Sequence, residues 1–182
     1  MSCCDKPAFF VGNAAEIVAQ QIKDKARGPN WFIGNFMPEG SLQHRVDFES
    51  AYTEANRGLA KWENGNPNAS WVDYKTVSTL SFLVSGRLAV FFPKRTVIMK
   101  NPSDVVFYGP GVWHTWLALE DGTKWFSFRL PSVKGDAIPI PESQAPRDIT
   151  NEIAELLSWR SRLMVFFTGM GFGTRGSFLR KE

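Results

Sequence analysis

An imidazole titrates near neutrality, so histidines are the first side chains to examine for proton transfer or metal binding. The chain has 2 of them, His44 and His114. His114 stands in the run Asn101-Pro-Ser103-Asp104-Val-Val-Phe-Tyr-Gly109-Pro110-Gly111-Val-Trp113-His114-Thr-Trp116. An apolar strand enters a Pro/Gly turn, and the histidine leaves that turn on the first residues of the next strand. Gly111 suits a tight turn that needs a positive φ. Period-2 alternation then puts Trp116 on the face of His114. Tyr74 is a candidate acid or hydrogen-bond donor, with packing as the plain alternative. Arg129 offers a rigid fork for a carboxylate or phosphate, or pairs with a surface acid. A metal would need several imidazole and carboxylate ligands. Here His44, His114 and an acid such as Asp73 would have to meet in space.

Short strands must position these residues. They are expected at 70–76, 77–85, 87–92, 95–99, 104–108, 114–119 and 124–130, with a further one at 31–37. Gly86, Pro93-Lys94, Pro102-Ser103, Gly109-Pro110-Gly111 and Asp121-Gly122 separate them. Closely spaced strands with turn residues between them argue for an all-β barrel or sandwich. Inside the strand 77–85, Val77, Ser81 and Leu83 share the face of Thr79, which makes a half-polar, uncharged pocket floor if Thr79 points inward. The segment 41–62 stays ambiguous: Val46 and Phe48 suggest a short strand, and Ala51 to Leu59 reads as helix or extended chain. Residues 14–26 read as an amphipathic helix capped by Asn13. A second helix opens at Asp148 or Thr150 and runs to about Phe166, after a proline-rich crossing segment at 131–147. The final run from Thr168 to Gly176 alternates glycine with other residues and reads as a mobile or surface-laid tail.

Two strand-turn-strand units carry a family resemblance. One is Thr79-Leu-Ser81-Phe-Leu-Val-Ser85-Gly86-Arg87 with the strand after it; the other is the His114 unit. Together they resemble the paired motifs of the cupin superfamily, and a group of bacterial cupin-like proteins with a degenerate metal motif in particular. The second motif matches at Asp104, Gly111 and His114, with Ser103 in place of a glycine and Gly109 in place of a proline. In the first motif Gly86 matches, Thr79 stands where the family has a glutamate, and Val72 to Lys75 hold no histidine. The resemblance implies a double-stranded β-helix, a jelly-roll barrel, over 31–132. An N-terminal helical segment (1–30) and a C-terminal extension with a helix (133–182) would pack outside it. It also implies that His114 projects into the barrel. Because most metal ligands are missing, no metal or other cofactor is expected. His114 is then either a buried imidazole bonded to Ser81 or Thr79, or a group that touches a ligand.

Composition bounds the rest. The chain of 182 residues has 15 Phe, 7 Trp and 3 Tyr, enough for an aromatic core or a stacking surface. A net charge of +3 is too small to argue for nucleic acid. Cys3 and Cys4 are adjacent and make no disulfide framework, so a reducing, cytoplasmic setting is the expectation. No apolar run is long enough to span a membrane. The resulting expectation is a small-molecule-binding barrel, acting as a homodimer with neither nucleic acid nor membrane as partner. His114 and Tyr74 are its candidate acid/base pair, and Thr79, Ser81, Trp113, Trp116 and Arg129 its candidate ligand contacts. The alternative is an enzyme, either a metal-free isomerase or epimerase or a metal-dependent dioxygenase.

Overall fold

The computed structural model describes residues 12–23, 30–41, 43–58 and 71–158. Cys3 and Cys4, the loop at 63–68, the end of the second helix and the glycine-rich tail lie outside the described residues. The chain divides after Ile149: the barrel and the first helix fall in one unit, and helical residues 150–158 belong to the other. Among the described residues no helix is long and apolar enough to cross a membrane.

Among the described residues ten strands alternate between two antiparallel sheets. The first has the order β1(Trp31–Ile33), β2(Glu49–Ala55), β9(Thr123–Leu130), β4(Ser78–Ser85), β7(Val105–Tyr108). In the second, β6(Arg95–Met99), β5(Leu88–Phe92) and β8(Thr115–Ala118) form one piece, and β3(Val72–Tyr74) with β10(Ala137–Pro139) another. A bridge joins the pieces: the Val72 and His114 amides each donate to the other's carbonyl, at 2.9 and 3.0 Å. Leaving out the edge strands β1 and β10, the sheets read β2-β9-β4-β7 and β3-β8-β5-β6. That is jelly-roll order, in which the chain crosses between sheets at almost every turn.

Alternation along the strands explains which side chains fill the interior. On β4, Thr79, Ser81 and Leu83 are buried while Leu80 and Phe82 face the other way. On β9 the register sets Trp125 opposite Leu83, Ser127 opposite Ser81, and Arg129 opposite Thr79. The core gathers Ala55, Leu83, Leu88, Val90, Met99, Val106, Ala118 and Trp125 at one end of the barrel. On the outer face of the first sheet, Phe82, Phe126 and Phe128 stack with centroids 5.4 to 6.4 Å apart. The first helix, α1(Ala14–Lys23), packs Val18 there against Phe32 and Tyr52. Asn13 caps it, accepting from the Ala15 and Glu16 amides at 2.9 and 3.3 Å.

Three segments differ from expectation. The strand that begins at Trp31 stops at Ile33, because the chain turns at Gly34, whose carbonyl accepts from the Met37 amide at 3.2 Å. The ambiguous stretch resolves as strand β2, since seven successive residues pair with β9, while Val46 stays outside it and exposed. The proline-rich crossing contains β10, an edge strand on β3, where Pro139 closes the pairing. Asp136 pins this crossing: its carboxylate accepts from the Thr76 hydroxyl at 2.7 Å and from the Thr76 and Val77 amides at 3.2 Å.

Candidate functional site

Between the sheets lies a cavity of about 710 Å³, a size suited to a small ligand. It is polar at one end and apolar at the other. Leu88, Val90, Trp116 and Trp125 form the apolar end, with the two indoles edge to face at 4.8 Å. In the middle the Ser81 and Ser127 hydroxyls meet at 2.8 Å.

The polar end is built on three neighbouring strands and the bridge. Thr79 on β4 has Tyr108 of β7 on one side and Arg129 of β9 on the other. His114 faces them from the second sheet, where its bridge to Val72 also orients Tyr74. The imidazole lies 5.1 Å from the Tyr74 ring and 4.4 Å from the Tyr108 ring, centroid to centroid. Its Nδ1–H donates to the Val112 carbonyl at 3.0 Å, so in the neutral ring Nε2 carries the lone pair. The expectation of a bond to Ser81 or Thr79 is corrected here: the turn that delivers His114 supplies the nearer carbonyl. Burial pushes the pKa of both phenols up, so Tyr74 and Tyr108 remain protonated donors.

Arg129 is held rather than free. Its guanidinium lies 3.9 Å from the centre of the Trp31 ring and 4.9 Å from that of Tyr74. It forms an ion pair with Glu49, directly opposite on β2 and almost wholly buried. The other Glu49 oxygen accepts from the Ser132 hydroxyl at 3.0 Å. Ser132 in turn accepts from the Asn35 amide at 3.0 Å. Burial raises the Glu49 pKa, with Arg129 and Ser132 pulling the other way. The surface pairing considered for Arg129 is thus replaced by an interior one.

His114, Tyr74, Thr79, Ser81, Trp116 and Arg129 all border this cavity, while Trp113 does not. Trp113 lines a separate depression beside Phe92, Val112 and Pro146, because it precedes His114 and the turn sends it to the other side. Residue-by-residue reading missed Trp31, Glu49, Tyr108, Trp125 and Ser127. Alternation back from Arg129 would have found Ser127 and Trp125, and alternation on β7 would have found Tyr108. Glu49 and Trp31 had no local signal, since only strand pairing brings them to Arg129.

The donors do not fit a transition metal. His114 is surrounded by phenol and hydroxyl oxygens, and the carboxylate at this end, Glu49, is committed to Arg129 and Ser132. Among the described residues no three His, Cys, Asp or Glu side chains gather where they could hold an ion. His44 is bonded through Nδ1 to the Met37 carbonyl at 2.8 Å and is not part of the cavity wall.

Jelly-roll sheet order, with the Gly86 and His114 units facing each other across the interior, decides the fold. It is a jelly-roll barrel, a double-stranded β-helix. No protein-family model and no curated protein matches the chain. Solved structures similar to it include KdgF from Halomonas sp., at 15% identity over 50% of this chain and 74% of that one, with a TM-score of 0.43. Another is Pac13 from Streptomyces, described as a nucleoside dehydratase, at 13% identity over 59% and 81% with a TM-score of 0.44. A cupin protein from Bacteroides fragilis is 11% identical over 48% and 69%, with a TM-score of 0.39.

Proposed function

We propose that this protein binds a small molecule inside the barrel, with its polar head among Tyr74, Tyr108 and His114 and its body against Trp116 and Trp125. The cavity itself carries this reading. A cavity of about 710 Å³ walled by indoles and aliphatic side chains, with a few convergent polar groups, has the size and make-up of a small-ligand site. Hydroxyl groups at Thr79, Ser81 and Ser127 give such a ligand hydrogen-bond partners across the middle.

The test is a metabolite screen read by thermal shift, with Ser127→Phe as the plugged control. The expected result is a set of compounds that raise the melting temperature of the natural chain and leave the plugged chain unmoved. Shifts of equal size in both chains, or no shift with any compound at millimolar concentration, would sink the reading.

One observation favours a catalytic version. The His114 imidazole, its Nδ1–H on the Val112 carbonyl, lies against two protonated phenols, and imidazole with phenol is an acid/base pairing of the kind that moves a proton on and off carbon. A bound compound that gains deuterium at carbon in heavy water, and fails to do so with His114→Asn, would turn the binding protein into an enzyme of isomerase type.

A further inference from the structure

Arg129 is the one Lys, Arg, Asp or Glu side chain among the described residues that line the cavity. Alone, a guanidinium there would draw carboxylates or phosphates, which match its fork. Its charge is already answered from within the protein. Glu49, with a side chain 3% exposed, holds the guanidinium, and the Ser132 hydroxyl fixes the other carboxylate oxygen at 3.0 Å. Trp31 and Tyr74 lie against the guanidinium, with ring centres 3.9 and 4.9 Å away.

An entering anion would therefore give up its hydration to meet a pair that is already neutral, the unfavourable half of a buried charge interaction without the compensating half. An uncharged molecule loses less water and meets phenols, hydroxyls and two indole faces. We propose that Glu49 is the specificity-determining residue of this cavity: it occupies Arg129 from behind, so the barrel accepts uncharged, hydroxyl-bearing ring compounds and turns carboxylates away. This rests on the cavity being a binding site.

Two probes matched in shape separate the claims. Phenyl β-glucoside and phenyl β-glucuronide share the aromatic ring and most hydroxyls, and differ by a hydroxymethyl group against a carboxylate. Affinities are read by calorimetry or ligand-observed NMR at neutral pH. The natural chain is expected to bind the glucoside at least about tenfold more tightly than the glucuronide. Glu49→Gln is expected to reverse that order by unmasking Arg129. The double variant Glu49→Gln/Arg129→Gln removes both charges, and is expected to keep the preference for the glucoside even if the single variant fails to fold. A natural chain that binds the glucuronide as well as the glucoside, or a double variant that gains the glucuronide, overturns the role of Glu49 and leaves the binding site standing. Binding of neither probe by the natural chain or the double variant overturns the binding reading along with it.

Discussion

His114 sits wedged between two phenol rings, and that position separates what its atoms do from what its bulk does. Replacing it with Asn removes both ring contacts and should cost about 1–2 kcal/mol of stability. Loss of ligand affinity should be much larger than that cost explains, because the imidazole leaves the cavity wall. Urea unfolding and ligand titration on the same preparation check both halves. Asp136 gives the pH dependence. Desolvation pushes its pKa up, but the hydroxyl and amide of Thr76 and the Val77 amide outweigh this and hold it below the ordinary carboxylate value. Its folded state thus binds a proton less readily than the unfolded chain, so it contributes stability above the ordinary carboxylate range. That contribution fades as pH falls through the depressed value. Asp136→Ala should cost roughly 1–3 kcal/mol at neutral pH. The variant should also lose less stability than the natural chain on acidification, as followed by urea midpoints from pH 7 down.

Turns decide whether the strands meet in register. Gly86 turns the chain from β4 in one sheet to β5 in the other at a φ of +81°, and a Cβ there would lie 2.5 Å from Thr123 Oγ1 and 2.7 Å from its Cα. Gly86→Ala should therefore destabilise by roughly 2–4 kcal/mol, combining backbone strain with overpacking. Ser103 is the converse case. It holds a φ of +73°, at the place where the cupin motif has glycine. Its side chain is exposed, so Ser103→Gly should raise stability by about 1 kcal/mol. Thermal unfolding of the pair checks both signs together. Most strands were legible because a glycine or proline stands at each end and period-2 alternation runs between. β2 was not, since Glu49-Ser-Ala-Tyr-Thr-Glu-Ala lacks a clean apolar alternation and owes its extended form to the pairing with β9. β10 was hidden for a related reason: three residues among prolines become a strand only because β3 offers an edge.

At the scale of the whole molecule the two sheets share one interior, part filled and part open. Phe91 belongs to the filled part and is fully buried on β5. Phe91→Ala should cost about 3–5 kcal/mol. A lower urea midpoint with an unchanged slope would show that the barrel still unfolds as a unit. The sequence by itself determined the strand-turn rhythm, the two motif units and the sharing of one face by Thr79 with Ser81 and by His114 with Trp116, because these follow from local sterics and alternation; that His114 points inward was what the family resemblance implied. It also placed Arg129 and Tyr74 among the candidates. The tertiary structure decided what those residues meet. Glu49 reaches Arg129 through the register between β2 and β9, Trp31 arrives from β1, and Tyr108 comes to His114 across the sandwich. Such meetings join residues far apart in the chain, and no local pattern encodes them. Charge compensation at Arg129, on which the cavity's choice of ligand rests, is a property of that pairing and not of any single stretch of sequence.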